Sequence, residues 1–128
     1  MPLVNAASVI DREARQRFES WKTFHVSNPA VFDLFLHFSR RAASLGRRKI
    51  GARLIGERIR WETAVETIGS EYKVNNNFWP YYARLAMLVD ANLDGIFERR
   101  GKRFDATDEE ILAAHNRSKP MFQPMEGL

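Results

Sequence analysis

Between residues 40 and 60 the chain carries Arg40, Arg41, Arg47, Arg48, Lys49, Arg53, Arg58 and Arg60 against a single acid, Glu57, and a second cluster follows at Arg99, Arg100, Lys102 and Arg103. Cations concentrated in this way raise the local potential and attract polyanions, nucleic-acid phosphates first among them, although a merely solvated surface is the plainer account. Between the clusters lies NNNFWPYY, Asn75 to Tyr82, three amides followed by four aromatic rings and a proline. Asn side chains pair with adenine edges and aromatic rings stack on unpaired bases. The same residue types have structural uses: Asn caps helices, and rings at a helix start usually pack into a core.

Other reactive groups form no constellation. His25, His37 and His115 are scattered, with no second ligand at close helical spacing, so structural or surface roles are expected rather than a metal site. Glu62 and Glu66 are four apart and share a face if their helix persists that far, but Arg58 and Arg60 beside them make ion pairing the simpler expectation. Gly-rich phosphate loops, nucleophile elbows and metalloprotease boxes are absent, and no enzyme activity and no cofactor are expected. Cysteine is absent too, which excludes disulfides and thiolate metal ligation and fits a reducing compartment.

The elements that must position these residues follow from length and periodicity. The 128 residues, 45% hydrophobic and 12% aromatic, suffice for one domain with a real core. Ile10, Ala14, Phe18 and Trp21 stripe a helix over about 8–24. Asn28 and Pro29 form a start signal, with Asn28 as the cap, for a central core helix carrying Val31, Phe32, Leu34, Phe35, Phe38, Ala42 and Leu45, which Gly46 ends. Ile50, Leu54, Ile55, Ile59 and Trp61 predict a third helix ending near Glu62. The β-branched stretch Thr63 to Ile68, Gly69, Ser70 and Tyr72 to Val74 read equally well as a short hairpin or an irregular connector.

Asn77 is placed to cap a fourth helix that runs to about Asp90. Ile96 to Phe104 reads as a small β-hairpin or as a helix interrupted at Gly101. Thr107 and Glu110 have capping-box spacing ahead of a short last helix. The expectation is a mainly α single domain of about five helices over residues 1–117, with its core over about 28–104, and a mobile or extended tail over 118–128. No span is long and apolar enough to cross a bilayer and the N-terminus lacks a signal pattern, so no membrane role and a cytoplasmic location are expected.

A helix with basic flanks, a connector, an Asn-rich helix start and a basic hairpin candidate follow in an order compatible with a winged-helix-like arrangement, although the connector from Glu62 to Asn77 is long for one. On that reading Asn75 or Asn76 reaches adenine edges and Arg84 a guanine or a phosphate. Arg47, Arg48, Lys49, Arg53, Lys73, Arg99, Arg100, Lys102 and Arg103 complete the candidate nucleic-acid surface, with DNA favoured over RNA.

The segments ERIRWETAVET and YKVNNNFWPYYARLAM, with Asn28 and Pro29 ahead of them, resemble a group of small bacteriophage and prophage proteins over about residues 28–100. The shared pattern is Arg58 to Glu62, then Lys73 to Asn77, then Pro80 to Arg84. The resemblance carries no activity over to this chain. Its phage context implies work in a bacterial host cytoplasm, on DNA or on a host protein that the chain redirects or inhibits. The second reading predicts an exposed aromatic patch drawn from Trp21, Phe24, Trp79 or Phe122.

Overall fold

A computed structural model describes residues 6–66, 74–98 and 106–118, with side chains over 12–63, 74–98 and 106–118. The chain is mainly helical: α1 (Ala6–Ser27), α2 (Pro29–Ser44), α3 (Ala52–Glu66), α4 (Trp79–Val89) and α5 (Asp108–Ser118), with single 3-10 turns at Asn76–Phe78 and Ala91–Leu93. Among the described residues there is no strand. An isolated parallel bridge joins Ile50 to Phe97, and the Ile50 N–H donates to the Ile96 carbonyl at 2.8 Å. This bridge ties the basic α2–α3 turn to the segment after α4; residues 99–105, the rest of the hairpin candidate, lie outside the described residues.

The α1 stripe of Ala14, Phe18 and Trp21 is buried as its spacing predicts, and it continues one turn further to His25. A single residue separates α1 from α2. Asn28 does not cap α2 as expected: its amide donates back to the Phe24 carbonyl at 3.0 Å and closes α1 instead. Pro29 at the first position of α2 has no N–H to be capped, which removes part of the demand. At the other end Gly46 takes φ +90°, and the Arg47 N–H reaches the Ala42 carbonyl at 3.2 Å, the left-handed stop that the sequence predicts.

Helix α3 runs to Glu66, four residues beyond the expected end, so Thr63 to Glu66 is helical rather than extended. The β-branched Thr63 is accommodated because its hydroxyl donates to the Ile59 carbonyl at 2.9 Å, satisfying a buried polar group within the helix. Residues 67–73, where the hairpin-or-connector alternative would be decided, lie outside the described residues. Ile55 and Ile59 face the core. Leu54 and Trp61, whose apolar spacing also pointed to the helix, do not.

The central element is α4 rather than α2. Trp79, Tyr81, Tyr82, Ala83, Leu85, Ala86 and Met87 are all buried, because α4 packs on α2, α3 and α5 together. Helix α1 packs on α2 and α5, so Phe18 and Trp21 at one end of the chain and Ile111 and Ala114 at the other join the same core. Helix α5 starts on the expected capping box: the Glu110 N–H donates to the Thr107 hydroxyl, and the Glu110 carboxylate accepts from the Thr107 N–H, both at 3.1 Å.

Helices α3 and α4 approach closely at Gly56, where the Trp79 indole lies against α3. A Cβ at Gly56 would overlap the Trp79 Cε2 and Nε1 atoms and stand 2.7 Å from Cδ2. Trp79 is held by the core on its other side, stacked on Phe35, and cannot swing away. Gly56→Ala is therefore expected to destabilise the fold by about 1–3 kcal/mol, despite alanine's better helix propensity. A denaturant melt that showed a gain in stability would exclude this packing.

Candidate binding face

The Asn-rich run acts first as local scaffolding. The Asn75 side chain, not that of Asn77, is the cap: its oxygen accepts from the Asn77 N–H at 2.9 Å and opens the 3-10 turn that leads into α4. Asn76 accepts from the Trp79 indole N–H at 3.2 Å and from the Arg60 guanidinium at 3.4 Å, joining the start of α4 to α3. Asn75, Asn76 and Asn77 are all exposed, whereas Phe78, Trp79, Tyr81 and Tyr82 are buried. Trp21 and Trp79 are core residues as well and Phe24 is half-buried, so they form no exposed aromatic patch; Phe122 lies outside the described residues.

The candidate cations separate into three groups. Arg47, Arg48, Lys49 and Arg53 are exposed along the α2–α3 turn and the first turn of α3, and Lys49 also donates to the Gly95 carbonyl at 3.0 Å. Arg84 is turned inward. Its guanidinium donates to the Ala106 carbonyl at 2.8 Å and to Asp108 at 3.2 Å, linking α4 to the start of α5. Lys73, Arg99, Arg100, Lys102 and Arg103 lie outside the described residues. Three further arginines are engaged in ion pairs, Arg40 with Asp90 at 2.7 Å, Arg58 with Glu62 at 2.8 Å and Arg60 with Glu57 at 3.3 Å. The pairing expected at Glu62 is thus present.

Beside the basic turn lies an apolar surface that the sequence reading did not anticipate. Leu45, Leu54 and Trp61 are 74%, 66% and 66% exposed. With Phe38, Ala42 and Ile55 they line a groove of about 690 Å³ between α2 and α3, rimmed by Arg41, Glu57, Arg58 and Arg60. The Arg58 guanidinium covers the Phe38 ring at 5.3 Å from its centroid, leaving Trp61 as the open aromatic surface of the groove. The signal was present in the spacing. Leu54 and Trp61 are seven apart, on a stripe of α3 different from that of Ile55 and Ile59.

The second feature missed by the sequence reading is a histidine pair. His25 on α1 and His115 on α5, ninety positions apart, place Nε2 and Nδ1 3.2 Å from each other. His25 is fully buried, stacked on Trp21 with edge contacts to Phe32 and Tyr82, and its Nδ1 has no hydrogen-bond partner among the described residues. Burial, reinforced by the charge His115 would carry, pushes the pKa of His25 down to about 4. Burial likewise pushes the Tyr82 phenol upward, against a smaller opposite effect of the Trp21 indole. The outward signal in the sequence was that His25 continues the Trp21 stripe at the next helical turn.

No group of three metal-ligating side chains occurs among the described residues. No helix among them is long and apolar enough to cross a membrane. Comparison with protein families, curated proteins and solved structures returns no match for the chain.

Proposed function

We propose that this protein is a non-enzymatic nucleic-acid-binding module, of the phage-type regulatory kind suggested by its sequence resemblance and acting in a host cytoplasm, and that it grips the phosphate backbone with the α2–α3 turn. The observation that carries this reading is the charge of that turn. Between Asp33 and Glu57 there is no acid, while six cations occur, of which Arg47, Arg48, Lys49 and Arg53 stand exposed on consecutive segments. Exposed cations contribute little to folding, so their concentration here is of more use to a polyanion than to the fold. The burial of α4 argues against its insertion into a DNA groove, and backbone contact is then the mode that remains for duplex DNA.

Anisotropy titrations of labelled DNA and RNA across salt test this directly. Four phosphate contacts correspond to a slope of about −3.6 in log K against log salt on duplex DNA. Replacing Arg47, Arg48, Lys49 and Arg53 by Gln is expected to abolish most of that slope while leaving the thermal melt nearly unchanged. Absence of salt-sensitive binding to any nucleic acid at low ionic strength would overturn the reading. An accessory role on a host protein is favoured by a different observation, the apolar groove beside the basic turn.

A further inference from the structure

We infer that the α2–α3 groove is a docking site for an amphipathic helical segment of a partner protein, one that presents leucine or phenylalanine side chains to the groove and carboxylates to its rim. The inference rests on the accessory-protein reading and is independent of phosphate binding by the neighbouring turn.

The floor of the groove is aliphatic and aromatic: Phe38, Ala42 and Ile55 lie beneath, and Leu45, Leu54 and Trp61 stand open to solvent around them. Three large apolar side chains exposed on one surface are unusual in a monomer that has a complete core elsewhere, and such patches mark interaction sites. A groove of about 690 Å³ between two helices accepts one or two bulky side chains, as a docked amphipathic helix supplies at successive turns. Tryptophan and arginine, the types most enriched at the energetic centres of protein interfaces, are both present.

Charge decides among occupants. Arg41, Arg58 and Arg60 rim the groove against Glu57 alone, and Arg47, Arg48, Lys49 and Arg53 flank Leu45 and Leu54 along the chain. A second copy would bring one basic rim against another, so self-association is disfavoured. A nucleic acid would find phosphate partners in the rim arginines, but it would meet one open ring for stacking and an apolar floor that gives base edges nothing to pair with. An acidic amphipathic helix meets both requirements at once. Arg58 and Arg60, already paired with Glu62 and Glu57, have further N–H donors with which to bind a partner's carboxylate beside those they hold, and Arg41 adds a third cation to the rim.

The test uses the full chain and a labelled synthetic helical peptide with Leu and Phe on one face and Glu on the flanks, beside a version with Lys in place of each Glu. The acidic peptide is expected to bind with micromolar affinity and the Lys version to bind about tenfold more weakly or worse. Trp61→Ala and Arg41→Glu are each expected to weaken the acidic peptide about tenfold. Both residues are exposed, so circular dichroism should show intact helices in both variants. The inference is overturned by no binding of the acidic peptide, by equal binding of the Lys version, or by binding that ignores Trp61→Ala. It is overturned equally if sedimentation shows a dimer that Trp61→Ala dissociates, or if Trp61→Ala abolishes oligonucleotide binding instead. Oligonucleotide anisotropy on the same wild-type preparation reports separately on the phosphate-binding turn, and a peptide-binding protein that ignores oligonucleotides would remove that function while leaving the groove.

Discussion

Phe35→Ala is expected to lower the stability of the fold by about 3–5 kcal/mol, read as a large fall in the denaturant midpoint. Phe35 is completely buried on the inner face of α2, where its ring stacks on Trp79 and Tyr82 and contacts Phe97. It thus joins α2 to α4 and to the segment bridged to the basic turn. Truncation loses the ring's transfer free energy and opens a void among neighbours that are themselves large and mutually packed, so little collapse can fill it. Phe38, one turn further along α2, is the internal control. It is half-buried under the Arg58 guanidinium at the groove, and Phe38→Ala should have a clearly smaller effect. Equal shifts for the two variants would mean that the core is not centred on the α2–α4 contact.

The second large effect is expected with acid. A histidine in the unfolded chain titrates near 6.5, whereas His25 in the fold titrates near 4, because burial and the adjacent His115 oppose its charge. Between those values the unfolded chain binds more protons than the folded one, so stability rises with pH across that window. The contribution is complete above about pH 6.5 and is lost as pH falls toward 4, to a total of about 3 kcal/mol. Only with both rings protonated would the two facing imidazole nitrogens both be donors, which would end the 3.2 Å contact between α1 and α5.

The carboxylates act lower on the scale. Arg15 and the Thr107 N–H hold Glu110 down to about 2, and Arg40 with the Asn92 N–H lowers Asp90, so their contributions are present above the ordinary carboxylate range and lost below it. His25→Phe, which retains an aromatic ring beside Trp21, is expected to flatten the dependence of the denaturant midpoint between pH 6.5 and 4 while the decline below 4 persists. A wild-type midpoint that is flat across the upper window would show His25 to be solvated.

Helix existence was largely legible because its causes are local. The stop at Gly46 needs only a residue tolerant of positive φ, and the Thr107–Glu110 box needs only two side chains three residues apart. Caps were less legible, because an Asn side chain can serve either neighbouring element: Asn75 rather than Asn77 accepts at the turn before α4, and the Asn28 amide donates to the end of α1 instead of accepting at the start of α2. The end of α3 was misplaced because β-branched residues lower helix propensity only slightly, and the Thr63 hydroxyl found a carbonyl within its own helix.

The candidate face was half legible. Charge is additive along a chain, so the basic turn at Arg47, Arg48, Lys49 and Arg53 was visible from composition, and its exposure followed from the cost of burying charge. Arg84 was indistinguishable from these until Asp108 and the Ala106 carbonyl, more than twenty residues away, were folded onto it.

By itself the sequence determined the helical class, the amphipathic stripes of α1 and α2, the basic character of the α2–α3 turn and the absence of disulfide or thiolate chemistry. Tertiary structure alone decided which of the two apolar stripes of α3 would be buried. Ile55 and Ile59 flank Gly56, and only at a glycine could the Trp79 ring come so close against the helix. That approach turned Leu54 and Trp61 outward into the groove. Tertiary structure alone also brought His25 to His115, because a contact between the first and last helices depends on how every intervening element packs, and no local spacing encodes it.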